Sequence, residues 1–86
     1  MEMRVSAKTH PKSLGGAIFK AIKDHGEVTL ISIGGGAVNA CNKALIVASN
    51  HFKHAKLNVS FEPAFTETNV PDKGTIVAVS WIVKKL

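Results

Sequence analysis

The sequence predicts a two-layer α/β sandwich (α+β) with the element order β-α-β-α-β-β, and three observations carry that prediction. An apolar run, Val28 to Ile33, stops at Gly34-Gly35-Gly36, and a helix-compatible stretch from Ala37 to about Phe52 follows at once. Apolar residues recur at helical spacing in that stretch and in an earlier one between Ser13 and His25. They alternate with polar residues near 3–7, 56–66 and 75–83, as half-buried strands require. Two right-handed crossovers then place both helices on one face of a mixed four-stranded sheet. A hairpin joins the last two strands, so the fourth lies between the second and third, giving the order 1-2-4-3.

Each element has a local reason. In the first strand, Met3, Val5 and Ala7 alternate with Arg4, Ser6 and Lys8. Pro11 disfavours helix before it, so Lys8 to Lys12 reads as a loop. Ser13 is the expected N-cap of a helix that Gly26 ends, with Leu14, Ala17, Ile18, Ala21 and Ile22 inward. Gly15 and Gly16 each cost such a helix about 1 kcal/mol against alanine, so a close backbone approach or a ligand should compensate. In the second helix Val38, Cys41, Leu45, Ala48 and Phe52 form the inner stripe, and Ile46 falls on the polar side. Pro63 assigns the third strand, Lys56 to about Thr66, to a sheet edge or a bulge. Glu67 to Gly74 reads as a polar loop and Thr75 to Val83 as the last strand. The sheet face away from the helices would carry Ala78, Ser80 and Ile82, and an uncovered, partly apolar face suggests self-association.

Composition narrows the function. Residues 1–86 read as one domain, small enough that a subunit partner would help it bury a core. Eleven Lys/Arg against six Asp/Glu give a net charge of +5, which favours polyanionic partners. The single cysteine, Cys41, cannot form an intrachain disulfide and fits a reducing cytosol. No apolar run approaches the roughly 20 residues of a membrane span, and no signal core follows Met1. A cytoplasmic protein without membrane contact is expected.

The glycine corner is the leading candidate site. Backbone N–H groups near Gly35, Gly36 and Ala37 stay unpaired where a strand turns into a helix, and the helix dipole adds positive potential. Asn39 and Lys43 follow within the first turns. Lys8 and Lys12 lie in the loop after the first strand, whose end neighbours that of the second. Lys8, Lys12, Gly34, Gly35, Gly36, Asn39 and Lys43 are therefore the expected phosphate-binding set. The glycines lack the spacing of a P-loop or dinucleotide fingerprint. His10, His25, His51 and His54 lack metal-ligand spacing with Cys41, and no triad or carboxylate pair is recognisable. Neither an enzyme nor a cofactor is expected.

Three motifs, in order, resemble the stage V sporulation protein S family. They are Val5-Ser6-Ala7-Lys8, Ile33-Gly34-Gly35-Gly36-Ala37-Val38-Asn39 with Lys43-Ala44, and Pro63-Ala64-Phe65-Thr66. The resemblance runs nearly end to end. It implies a fold similar to the Alba chromatin proteins and to the C-terminal domain of bacterial translation initiation factor three. It also implies a role in control of sporulation and cell division, with nucleic-acid binding by analogy to Alba. On that analogy Lys8 and Lys12 occupy the loop that Alba sets against nucleic acid. The chain departs from Alba at Gly36 and Ala40, where Alba tends to be basic. It departs again in the hairpin loop, where Glu67 and Asp72 outnumber Lys73. The expected function is a dimeric or larger homo-oligomeric regulator that grips DNA or RNA phosphates. The alternatives are a protein-interaction module of a sporulation complex and, more remotely, a binder of a small anionic metabolite.

Overall fold

A computed structural model describes residues Met1–Leu86. In chain order the elements are β1 (Glu2–Val5), α1 (Pro11–His25), β2 (Glu27–Ser32), α2 (Gly35–His54), β3 (Val59–Val70) and β4 (Gly74–Lys85). The sheet order is β1-β2-β4-β3, with β1 parallel to β2 and the other neighbours antiparallel. Fold class, connectivity and strand order are those the sequence predicts. Both helices cover one sheet face, where Val5, Val28, Leu30 and Val83 meet Ile18, Ile22, Cys41, Leu45 and Phe52 in the main core.

Several boundaries differ, each for a visible reason. β1 ends at Val5 rather than Ala7, because Ser6 to Thr9 closes a turn: Thr9 N–H donates to Ser6 O, and Lys8 N–H to Ser6 Oγ. α1 begins at Pro11, with His10 as N-cap, instead of being capped by Ser13. Proline suits the first helical position, where its missing N–H would have had no partner. Ala17 is exposed and stands outside the inner stripe. β2 ends at Ser32 and leaves Ile33 in the turn, while α2 runs from Gly35 to His54.

At the end of α2, Leu57 N–H donates to Phe52 O and Lys56 N–H to Lys53 O, with Lys56 at φ 57°. This is the left-handed C-terminal closure in which glycine is usual. It delays β3 to Val59, not Lys56. The expected polar loop from Glu67 to Gly74 is mostly strand, since Glu67 pairs with Val77 and Asn69 with Thr75, and only Pro71 to Lys73 turn. β3 is an edge strand, as Pro63 required.

β2 pairs with β4 only from Val79 to Lys84, so the distal half of the β3–β4 hairpin projects beyond the sheet body. The face away from the helices offers less apolar surface than expected. Ala78 and Ser80 are buried there: they are small residues on a central strand, and larger cross-strand neighbours such as Ile31 and Thr66 screen them. The large exposed apolar side chains are elsewhere. Phe65 is 81% exposed, Val77 63% and Ile46 64%, and Phe65 and Val77 share the face of Phe61, Trp81 and Val83, which bears the helices. Self-association through Ala78, Ser80 and Ile82 therefore has little support.

Candidate nucleic-acid interface

The parallel pairing of β1 and β2 builds the site. Val5 lies opposite Ser32, so both strands end together and both strand-to-helix turns emerge at one end of the sheet. In the second turn Gly34 has φ 88° and ψ 158°, a backbone conformation essentially confined to glycine. Gly34 is the N-cap of α2 and has no side chain to cap it, and the first helical bond runs from Val38 N–H to Gly34 O. The amides of Gly35, Gly36 and Ala37 precede that bond and have no partner within the helix. Gly35 and Gly36 are exposed, whereas Ala37 is buried.

The first turn is folded against the second. A Cβ built on Gly36 would lie 2.8 Å from the Ala7 Cβ, so the absence of a side chain at Gly36 is what admits the loop. Ser6 holds that loop in shape, since its N–H donates to Thr9 Oγ1 and its Oγ accepts from Lys8 N–H. The next residue, Lys8, is exposed beside the glycine corner. Asn39 and Lys43 are exposed on α2, four residues apart and thus on one helix face. No acidic residue lies anywhere in α2.

Lys12 is not in this group. The first turn of α1 carries it toward the C-terminal half of α2, where it borders a depression with Val47, Asn50, His51 and His54. Asn50 follows Gly36 by fourteen residues of helix, about 20 Å. The structure thus sets the turn that carries Lys8 against Gly36, leaves Asn39 and Lys43 further along α2, and places Lys12 beyond them on the seam between the helices. Sequence reading missed Asn50 and His54, although both continue the helical face of Asn39 and Lys43. Phe19 is half-buried and packs against His51 and Phe52. No three His, Cys, Asp or Glu side chains gather where they could hold a metal ion. No helix is long and apolar enough to cross a membrane.

Cys41 and Ser32 lie beneath the corner, both buried. Burial pushes the Cys41 thiol above its ordinary pKa of 9.0, and the adjacent Ser32 hydroxyl partly offsets this. The Ser32 Oγ has no hydrogen-bond partner of good geometry, so its contact with the sulfur is a weak one.

Two parallel βα units and a projecting hairpin, sharing one helix-covered sheet, define an Alba-like fold. The structure of Alba from Thermoplasma volcanium matches with a TM-score of 0.56 over 99% of this chain and 98% of that one, at 12% identity. That likeness is one of fold. The chain belongs to the Stage V sporulation protein S (SpoVS) family, whose description matches residues 1–86, and its role is sporulation-related. Neither this family nor the Alba-like fold is known for enzymes.

Proposed function

We propose that this SpoVS-family protein is a cytoplasmic, non-catalytic regulator that binds DNA or RNA through the phosphate backbone. The observation that supports the reading is the Ala7–Gly36 contact: Lys8 follows Ala7 in the chain, and the Gly35 and Gly36 amides have no partner within the helix. Free helix-start amides with a lysine in the adjoining turn suit a phosphate, the net charge of +5 favours a polyanion, and Asn39 and Lys43 extend the surface along α2. Lys12 joins as a more distant contact. Base readout has no obvious instrument, so affinity should depend on salt far more than on sequence.

Titration of mixed-sequence DNA and RNA oligonucleotides at low and moderate salt tests this. Log affinity should fall against log salt with a slope of about −0.7 to −0.9 for each phosphate neutralised. Lys8→Ala with Lys12→Ala should weaken binding to all sequences and flatten that slope. Unchanged binding by the double variant ends the proposal.

The same protein is proposed to act as a homodimer. Leu45, Ile46, Phe61 and Trp81 line a groove of about 600 Å³ beside α2. The groove's sheet face continues along the hairpin to Phe65 and Val77, both exposed. An apolar strip of that kind favours association. A sporulation regulator seated there in place of a second copy is the alternative reading, in which the chain is an interaction module. Saturable, salt-sensitive oligonucleotide binding separates the two.

A further inference from the structure

The structure holds a second cationic concavity, remote from the glycine corner. Lys12, Val47, Asn50, His51 and His54 line a depression of about 390 Å³ where the start of α1 meets the last two turns of α2. No carboxylate lines it. Its floor is fixed, because a Cβ on Gly15 would lie 2.5 Å from Val47 Cγ1 and 3.0 Å from Ala44 O, so the two helices are in backbone contact just beneath. One flank is fixed too: the Phe19 ring lies 5.4 Å from His51 between centroids, and Lys23 Nζ sits 5.4 Å over that ring.

The ionisable groups here are all basic. From α1 come Lys12 and, across Phe19, Lys23; from α2 come His51 and His54, with Lys53 turned toward the other groove. Asp24, the one acidic residue of α1, lies toward the far end of that helix and lines a different hollow with Met1, Met3 and His25. Basic residues at the end of α2 interact well with its carbonyl pole, which explains two histidines there. It does not explain why Lys12 and Asn50 converge on the same hollow.

We propose that Lys12, Asn50, His51 and His54 form a phosphate-group site. Lys12 supplies a charge, Asn50 an amide donor, and the imidazoles two further N–H donors. The ligand is a phosphate group, either free or within a nucleic-acid backbone. In the latter case the polymer path runs from Lys8 along Asn39 and Lys43 to this hollow, spanning most of α2. The site shares only Lys12 with the function proposed above and stands without it.

The test follows the imidazole NMR resonances of all four histidines during titration with inorganic phosphate, and separately with dimethyl phosphate, at constant ionic strength. At about pH 6, His51 and His54 should shift saturably while His10 and His25 stay put. Binding of both probes assigns the site to a backbone phosphate, and binding of inorganic phosphate alone assigns it to the free ion. Equal shifts at all four histidines, no saturable shift, or undiminished affinity in His51→Gln/His54→Gln overturns the proposal. Oligonucleotide binding by Lys8→Ala decides the other reading separately.

Discussion

Gly36 and Ala7 are packed so closely that a methyl group on Gly36 would stand 2.8 Å from the methyl of Ala7. This contact, made by two residues on different strand-to-helix turns, fixes the position of Lys8. Gly36→Ala should therefore displace the Ser6–Thr9 turn and lower stability by about 1–2 kcal/mol, the scale of an overpacked contact. Gly35 faces open space at an ordinary φ, so Gly35→Ala should be neutral or stabilising by up to about 1 kcal/mol. Urea unfolding of the two variants checks the contrast. Adding Ala7→Gly to Gly36→Ala should restore most of the loss.

Adjacent glycines in α1 should also part company. A Cβ on Gly15 meets Val47 at 2.5 Å and the Ala44 carbonyl at 3.0 Å, whereas one on Gly16 meets nothing within 4 Å. Gly15→Ala would push the helices apart and should cost about 1–3 kcal/mol. Gly16→Ala should raise stability by about 0.5–1 kcal/mol, since it only removes backbone freedom from the unfolded chain. Thermal or denaturant midpoints with opposite signs are the expected result.

What the sequence could and could not reveal has a physical pattern. Alternation and helical period report burial against the core, so strand order, helix faces and the edge position of Pro63 were all legible. The hairpin beyond Thr66 was not, because it projects past the core and has no need of apolar alternation; Asn69, Pro71 and Asp72 there look like loop. The helix closure at Lys56 was hidden because the left-handed position holds a lysine where glycine would have announced it. Gly15 was legible as a demand for close approach, but the same argument applied to Gly16 finds no neighbour. At the site, Lys8 and Lys12 are near in sequence yet diverge, because a helix starts between them at Pro11 and turns Lys12 toward Asn50. Short-range spacing cannot show which way that first turn points.

Cys41 should make the fold alkali-sensitive. Burial raises its pKa above 9.0 in the folded protein, so the native state holds the thiol proton more tightly than the unfolded chain does. The associated stability is fully present below about pH 9 and is lost as pH rises through the folded pKa. Denaturant midpoints should fall above about pH 9 more steeply in the parent protein than in Cys41→Ala. At pH 8 the thiol should react with iodoacetamide only as fast as the structure opens.

Phe65 should govern self-association if the helix-bearing side of the hairpin is the contact. Its ring is 81% exposed, on the same sheet face as Val77 and next along β3 from Pro63, which pairs with Trp81. A two-fold axis beside this strip would let the ring of each protomer enter the groove of the other between Ile46 and Trp81, the self-complementary geometry of a dimer. Aromatic residues seated in such grooves commonly contribute 2 kcal/mol or more, so Phe65→Ser should weaken the dimer by about thirtyfold or more. Ala64, adjacent on β3, is exposed on the opposite face, and Ala64→Glu should leave association unchanged. Sedimentation velocity across a micromolar concentration series distinguishes the pair. Weakening by Ala64→Glu but not by Phe65→Ser would place the contact on the helix-free face instead.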